Sequence, residues 1–218
     1  MKKLLSLLIA ICTVMACEHD AYDKGDSSYS YLRADFVEAC VGTDRQVSYV
    51  LTDNNEQLLL TAPYTADWIQ TADTIYRAVL YYSLAGQKAQ PVRLSRLSTV
   101  SITQRQLFKN GEKTDPLKLE SVWLSNSKKY LNLSVILKTG VISDDAEVQK
   151  LGMIGDTITT GADGLRTCHL RLFHSQGDVP QYYSQRAYFS VPLSGLQADS
   201  LLLQVNTYDG SVTRGFRL

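Results

Sequence analysis

An all-β fold is what this 218-residue sequence predicts, and three observations indicate it. Apolar and polar residues alternate in one segment after another, which is the pattern of half-buried strands. Clusters of Gly, Asn, Asp and Ser separate these segments as turns. From residue 28 onward, no window of about eleven residues keeps a strong helical period. Apolar residues make up 44% of the chain, which is enough for ordinary packed cores.

The first group of strands lies within residues 28–104. The expected strands are 29–41, 47–52, 58–61, 74–84 and 92–102. Turn residues at 42–44 and 53–56 separate the first three strands, and a loop over 63–73 contains Trp68. Five short strands suit a small closed or partly open barrel, because closure leaves no exposed sheet edges.

A second group of strands follows a polar, turn-rich segment at 105–116 that we interpret as a linker. The expected strands are 117–124, 131–138, 165–174, 187–193, 201–208 and 212–218, with a weaker strand near 151–159 inside the ambiguous stretch 140–164. Asp209-Gly210 is a strong hairpin signal between the last two strands. Short strands at this spacing predict an antiparallel β-sandwich over 117–218.

The amino terminus is typical of a lipoprotein signal peptide. Two lysines precede an apolar run that ends at residue 16, and this run is too short to span a bilayer as a helix. Val14-Met15-Ala16-Cys17 fits a lipobox, in which a small residue precedes the cysteine that receives the lipid. We therefore expect cleavage after residue 16 and acylation of Cys17, with chains such as palmitate as the membrane anchor. The alternative is an ordinary secretory signal with a chance cysteine.

Residues 17–27 are acidic and polar, which predicts a solvated tether between the lipid and the first domain. An acidic stretch directly after the acylated cysteine also resembles the export signal of some Gram-negative lipoproteins. We therefore expect an outer-membrane lipoprotein and, as a further expectation, exposure at the cell surface.

Several motifs of the mature chain resemble the NigD-like lipoproteins. They are Asp115–Leu124 with its Trp123, Tyr130–Leu133, Leu170–Asp178 with its Gly-Asp ending, and Asn206–Gly210. The resemblance covers nearly the whole mature chain and implies an OB-like barrel followed by a β-sandwich, located in the cell envelope. The family takes its name from a bacteriocin locus, which implies a role in bacteriocin immunity or secretion support.

Composition argues against two classes of binding site. The chain has 22 basic and 22 acidic residues, so it lacks the basic excess typical of nucleic-acid binders, and we expect no nucleic-acid partner. It also has only 3 His and no Cys-x-x-Cys motif, so we expect no metal site built from His or Cys.

Catalytic constellations are equally sparse, and we expect neither an enzyme nor a cofactor. The sequence has no Gly-x-Ser-x-Gly or His-Glu-x-x-His motif. His169 and His174 fall on opposite faces of one strand, so they cannot share a site, and each is expected at the surface or in a turn. The acidic group Asp144, Asp145 and Glu147 is interpreted as a solvated loop, with a calcium site as the alternative.

The remaining candidates are two cysteines and the aromatic loop. Cys168 shares a strand face with leucines and is interpreted as a small buried hydrophobe, and Cys40 as an independent free thiol. A disulfide between them is the alternative. Trp68 with Tyr64 and Ile69 is interpreted either as a contact site for a protein or glycan, or as a group buried against the linker. Trp123 is expected in the sandwich core or at its seam.

Together these observations predict a non-enzymatic envelope lipoprotein, attached to the membrane through the lipid on Cys17. Its expected role is that of a binding or accessory protein associated with bacteriocin production or immunity. The alternative is a surface adhesin or glycan-binding lipoprotein. The sequence names neither the envelope protein nor the glycan that would be the partner.

Overall fold

In the computed structural model, which describes residues 32–108 and 111–218, the alternating segments of the sequence form strands. The predicted signal peptide (1–16) and most of the chain before the barrel, including Cys17 and the tether at 17–27, lie outside the described residues. From Arg33 to Leu218 the chain clusters into one unit, so both groups of strands belong to the same body.

The first five strands form a closed barrel. Their bounds are β1 Arg33–Val41, β2 Val47–Thr52, β3 Gln57–Tyr64, β4 Thr74–Ala85 and β5 Lys88–Arg96. The order around the barrel is β1-β2-β3-β5-β4, with β4 pairing antiparallel to β1 and β3 parallel to β5. The predicted OB-like barrel is therefore confirmed.

Alternate residues of each barrel strand face the barrel interior. In β1 and β4 the buried interior residues include Val37, Ala39, Ala78 and Leu80, each with 0% exposure. Because successive side chains of a strand point to opposite faces, the residues between them lie on the outer wall. This alternation places the charged side chains of Glu38 and Arg77 outside the barrel core.

Two further sheets form the sandwich. Their strands are β6 Ser98–Thr99, β7 Ile102–Gln104, β8 Lys118–Leu124, β9 Tyr130–Thr139, β10 Lys150–Thr160, β11 Arg166–Ser175, β12 Tyr183–Pro192, β13 Ser200–Thr207 and β14 Gly210–Arg217. One sheet has the order β14-β13-β11-β10-β7 and the other β6-β12-β9-β8. Leu133, Met153, Leu170, Phe189 and Leu203 belong to the core between them. The predicted sandwich is confirmed, and so is a strand in the ambiguous stretch before residue 164.

The pairing in the sandwich is mixed, whereas the sequence predicts antiparallel sheets. β13 runs parallel to β11, and the short β6 and β7 run parallel to β12 and β10. The chain crosses from β11 to β12 in the other sheet and then returns to β13. Two successive reversals restore the original direction, so β13 must run parallel to β11.

The boundary between the modules also differs from the expected one at residue 104. The expected strand 92–102 ends in the barrel at Arg96, and the chain then adds β6 to one sandwich sheet and β7 to the other. These strands have only two and three residues, so no alternation of apolar and polar residues can be recognised in the sequence. The expected linker at 105–116 begins with a 3-10 turn at Arg105–Leu107 and includes a β-bridge from Thr114 to β11.

Candidate functional site

A cleft with a volume of about 720 Å³ lies on the outer face of the five-stranded sheet, and we call it the outer cleft. Its sheet wall comes from β10 and β11, where Gly152 and Lys150 pair with Phe173 and Ser175. The opposite walls come from β6–β7 and from four residues that follow them: Leu107, Phe108, Gly111 and Lys113. The volume is in the range of small-molecule sites, about 300–1,000 Å³.

The apolar part of the outer cleft centres on two phenylalanines. The ring centroids of Phe108 and Phe173 lie 4.9 Å apart, and their planes are tilted by 30°. Gly152 lies opposite Phe173, and a Cβ atom added at Gly152 would approach the Cβ of Phe173 to 3.3 Å. A larger residue at 152 would therefore fill the floor beside the ring. Leu107 contributes an apolar rim that is 64% exposed.

The polar part of the outer cleft holds two lysines, one glutamate and one serine. Lys113 Nζ lies 3.4 Å from Glu147 Oε2, and Lys150 Nζ lies 3.2 Å from Glu147 Oε1. Hydrogen bonds from Lys150 and Lys113 lower the pKa of Glu147, so its carboxylate is held in the ionised form. A second carboxylate lies beside this group, because Asp178 Oδ2 accepts from the backbone N of Glu147 at 2.8 Å. The two ammonium groups are therefore balanced by two carboxylates.

Ser175 is the least satisfied group in the cleft. The residue is 1% exposed, and its hydroxyl has no hydrogen-bond partner among the residues that the structure describes. A buried polar group without a partner costs about 1–3 kcal/mol, so such groups call for a functional or structural explanation. A second cleft of about 650 Å³, which includes Cys168 and Ile158, contains no comparable unpartnered group within the described chain.

A buried arginine joins the barrel to the four-stranded sheet, and we call this contact region the seam. Arg77 donates from Nη2 to Asp53 Oδ2 at 2.8 Å and to Asn132 Oδ1 at 3.1 Å, and from Nε to Ser190 Oγ at 3.1 Å. Its guanidinium carbon also lies 4.1 Å from the centroid of the Tyr130 ring. The partners come from both modules, so this side chain fixes their relative position.

A second charged contact lies beside the first on the seam. Glu38 accepts from Lys129 Nζ and from the Tyr130 hydroxyl, each at 2.9 Å. Burial and the hydrogen bond to Glu38 raise the pKa of Tyr130 to about 12, so its hydroxyl stays protonated as a donor. Phe36 packs between Trp123 and Tyr188 at centroid distances of 5.3 and 5.9 Å. Trp123 therefore lies at the seam, one of its two expected places.

The two histidines lie on opposite strand faces, as the sequence predicts, but His174 is not at the surface. It is 1% exposed, its Nδ1 lies 2.8 Å from Asp115 O, and its Nε2 lies 3.0 Å from Gln149 Nε2. Since that amide nitrogen can only donate, Nε2 accepts and Nδ1 donates. The expected surface role was wrong because the segment before β8 folds back over the end of β11. His169 stays on the other face and bonds Thr159.

The two cysteines follow their simpler interpretation, whereas the acidic group divides, because Glu147 is paired with Lys113 and Lys150. Cys40 and Cys168 are both free and buried, and burial raises the pKa of each thiol. Asp144 and Asp145 are exposed in a loop. Within residues 32–108 and 111–218 no group of three His, Cys, Asp or Glu side chains is arranged to hold a metal ion. Cys17, the expected lipidation site, lies outside the described residues.

The aromatic loop packs inward, so neither sequence-based interpretation of it holds. Ile69 is 6% exposed within the barrel core, and Tyr64 and Trp68 pack partly buried against that core. Trp68 also meets Tyr76 edge-on at 5.5 Å. The loop covers the barrel core with its apolar residues and does not present them to a protein or glycan. This burial removes the observation on which a glycan site at Trp68 rested.

Sequence reasoning missed Ser175 and Arg77. Ser175 stands in the turn-like run Ser-Gln-Gly-Asp, so nothing in the sequence distinguishes it from an exposed turn residue. Arg77 carries a weak signal, because it lies in the middle of an otherwise apolar strand where a charge must find partners.

Solved structures with the same fold come from Bacteroides and Parabacteroides species. The NigD-like immunity protein from Bacteroides caccae has a TM-score of 0.63 at 20% identity, covering 85% of this chain and 96% of its own. The chain has the fold of NigD-like proteins. The resemblance inferred from the motifs is therefore confirmed at the level of fold.

Two other solved structures share this fold. A candidate toxin-related protein from Parabacteroides distasonis has a TM-score of 0.64 at 18% identity, covering 86% of this chain and 93% of its own. A candidate lipoprotein from Bacteroides fragilis has a TM-score of 0.57 at 12% identity, covering 85% of this chain and 96% of its own.

Sequence comparisons add nothing to this structural likeness: no protein-family model matches the chain. No curated protein matches it either. In the part of the chain that the structure describes, no helix has the length and apolar character needed to cross a bilayer.

Proposed function

We propose that this protein is a non-enzymatic lipoprotein of the cell envelope, acylated at Cys17, in which barrel and sandwich act as one binding body. The observation that carries the proposal is the lipobox Val14–Cys17 behind a basic, apolar signal. The acidic tether then separates the lipid from a body that begins at Arg33. The seam supports a single rigid body, because Arg77 bonds groups of both modules.

The location that fits this anchor is the outer membrane, with the body facing outward. The support is the acidic stretch after Cys17, which resembles an export signal for lipoproteins. Protease treatment of intact cells tests the orientation. Loss of the protein before lysis agrees with surface exposure, whereas survival until lysis places the body in the periplasm.

The role we propose is bacteriocin immunity or a related accessory function. The support is the fold, which is shared along 85% of the chain with a protein described as a NigD-like immunity protein. A protein with this role would intercept a bacteriocin at the envelope through a binding surface. A lipid anchor would hold that surface where the bacteriocin arrives.

A killing assay tests the role. The protein is expressed in a bacteriocin-sensitive Bacteroides strain, and cell survival is measured against a dose series of the bacteriocin that kills this strain. Wild type should raise the lethal dose, and Cys17→Ser should lose most of this protection because it lacks the anchor. Unchanged killing with wild-type protein confirmed in the envelope would contradict an immunity role.

A further inference from the structure

We propose that the free edge of β10 binds an extended, uncharged peptide segment of another polypeptide, which adds a strand to the five-stranded sheet. β10 runs from Lys150 to Thr160 and pairs with β11 along its length, with a bulge after Gly155. Its other edge pairs with β7 only at Met153–Gly155. Within the described parts of the chain no strand pairs with this edge from residue 156 onward, and we call residues 156–160 the open edge. This inference goes beyond the envelope role and does not depend on it.

The backbone groups of Ile158 and Thr160 point away from β11 and toward the open side. Arg166, opposite Thr160 on β11, donates from its backbone N to Asp199 Oδ2 at 2.7 Å and accepts from Asp199 N at 2.8 Å. Arg166 therefore directs its hydrogen bonds away from β10, and the pair that it forms with Thr160 is of the non-bonded type. Because bonded and non-bonded pairs alternate along antiparallel strands, Ile158 is oriented like Thr160. Two N–H and two C=O groups are thus available to an incoming strand.

The open edge also lacks the charges that usually protect edge strands from pairing. Residues 157–160 (Thr-Ile-Thr-Thr) are exposed, uncharged and β-branched, which suits strand pairing. The other long edge strands are charged, since β8 contains Lys118 and Glu120, and β14 contains Arg214 and Arg217. Charged side chains on an edge strand oppose the addition of another strand. Strand addition is therefore favoured at β10 over β8 and β14.

The second cleft, of about 650 Å³, lies beside the open edge between the two sheets. Ile102, Ile158 and Leu196 contribute apolar surface to it. The one charged residue among the described residues that line it, Asp156, accepts from Arg171 Nη2 at 2.6 Å. In strand addition, main-chain hydrogen bonds supply affinity and pockets for alternate side chains supply specificity. This cleft fits an apolar side chain of the added strand.

A short peptide segment fits the open edge better than a second folded copy does. The open edge has five residues and a length of about 17 Å. A stable interface between folded proteins involves about 20–30 residues on each side. The occupant is therefore a short extended segment, held by main-chain hydrogen bonds and by an apolar side chain in the cleft.

The test uses the mature chain from residue 17 with Cys17→Ser, which retains the whole unit Arg33–Leu218 without its lipid. The probe is a capped, fluorescein-labelled peptide, Thr-Val-Thr-Leu-Thr-Val-Thr, and its binding is measured by fluorescence anisotropy. The control peptide has the same side chains, but its five central amides are N-methylated and cannot donate. The unmodified peptide should bind at least about tenfold more tightly, because strand addition depends on main-chain hydrogen bonds. Equal affinity for the two peptides, or binding of neither, would overturn the proposal.

Two substitutions of exposed residues locate the site. Ile158→Lys places a charge on the open edge and should weaken peptide binding at least about tenfold. Thr160→Pro removes an N–H that points to the open side, a position where an edge strand tolerates proline, and should weaken binding about fivefold.

The matched control is Thr213→Lys, which adds the same charge to β14 at the opposite edge of the sheet and should leave binding unchanged. Melting temperatures close to that of the parent confirm folding, and Ile158→Lys alone decides if Thr160→Pro melts lower. Unaltered binding in Ile158→Lys, or an equal loss in Thr213→Lys, would show that the peptide binds elsewhere and would refute the assignment.

Discussion

Replacing Arg77 with methionine tests the claim that barrel and sandwich form one body. The side chain is 2% exposed and holds three hydrogen bonds to Asp53, Asn132 and Ser190. Methionine preserves much of the apolar stem but removes the charge and every donor. Asp53 then loses its cation, although Asn132 still donates to it at 2.8 Å.

The magnitude follows from removing one partner of a largely buried ion pair. Such a change typically costs about 3–5 kcal/mol, because a charge stays buried without its counter-charge. Arg77→Met should therefore lower the free energy of unfolding by this amount. Asp53→Asn alone should cost less, and the double variant should lose about 1–3 kcal/mol less than the sum of the single changes.

The assay is urea unfolding of the unacylated mature chain, followed by tryptophan fluorescence. Trp123 reports on the seam and Trp68 on the barrel, so both modules are observed. Arg93→Met is the matched control, because Arg93 is an exposed arginine on the neighbouring strand and should cost about 0.5 kcal/mol or less. A loss under 1 kcal/mol for Arg77→Met, or strict additivity with Asp53→Asn, would refute the reasoning.

Three further predictions concern buried groups. Burial and a hydrogen bond to Asp35 raise the pKa of Tyr82 to about 12. The unfolded chain loses this proton first, so Tyr82 should contribute about 1–2 kcal/mol to a fall in stability between pH 10 and pH 12. Tyr130, whose pKa is also raised to about 12, adds to the same fall, so in denaturant titrations Tyr82→Phe should remove only the contribution of Tyr82. Cys40 and Cys168 should react with iodoacetamide only after unfolding, and intact mass without reductant should show two thiols; a linked pair would contradict the structure. Ile69→Ala should cost about 2–4 kcal/mol in urea unfolding, whereas an exposed loop residue would cost almost nothing.

The sequence predicts most of the strands because their signal is local. Alternation such as Leu131, Leu133 and Val135 marks a buried face without any knowledge of the partner strand. Parallel pairing of β11 with β13 depends on which sheet the chain enters after each turn, and no local pattern encodes that choice. The short β6 and β7 are strands only because longer partners pair with them.

The candidate site is less predictable because its properties arise from contacts between distant segments. Ser175 and Lys113 are 62 positions apart in the sequence, and only the folding of the segment before β8 over β11 brings them to one cleft. Trp68 illustrates the opposite error, since an aromatic residue in a polar loop suggests a binding site. Trp68 is partly buried because its loop packs against the barrel core, and the sequence does not reveal which part of that core the loop covers.

The central claim is that a lipid on Cys17 places this two-module body in the envelope. The most direct measurement uses cells grown with an alkyne-tagged palmitate. The purified protein is coupled to a fluorophore through the alkyne, and the mass of its amino-terminal peptide is measured by mass spectrometry. Wild-type protein should carry the tag and begin with acylated Cys17, whereas the Cys17→Ser variant should carry no tag. A tag on both proteins, a tag on neither, or a wild-type peptide that begins elsewhere would contradict this claim.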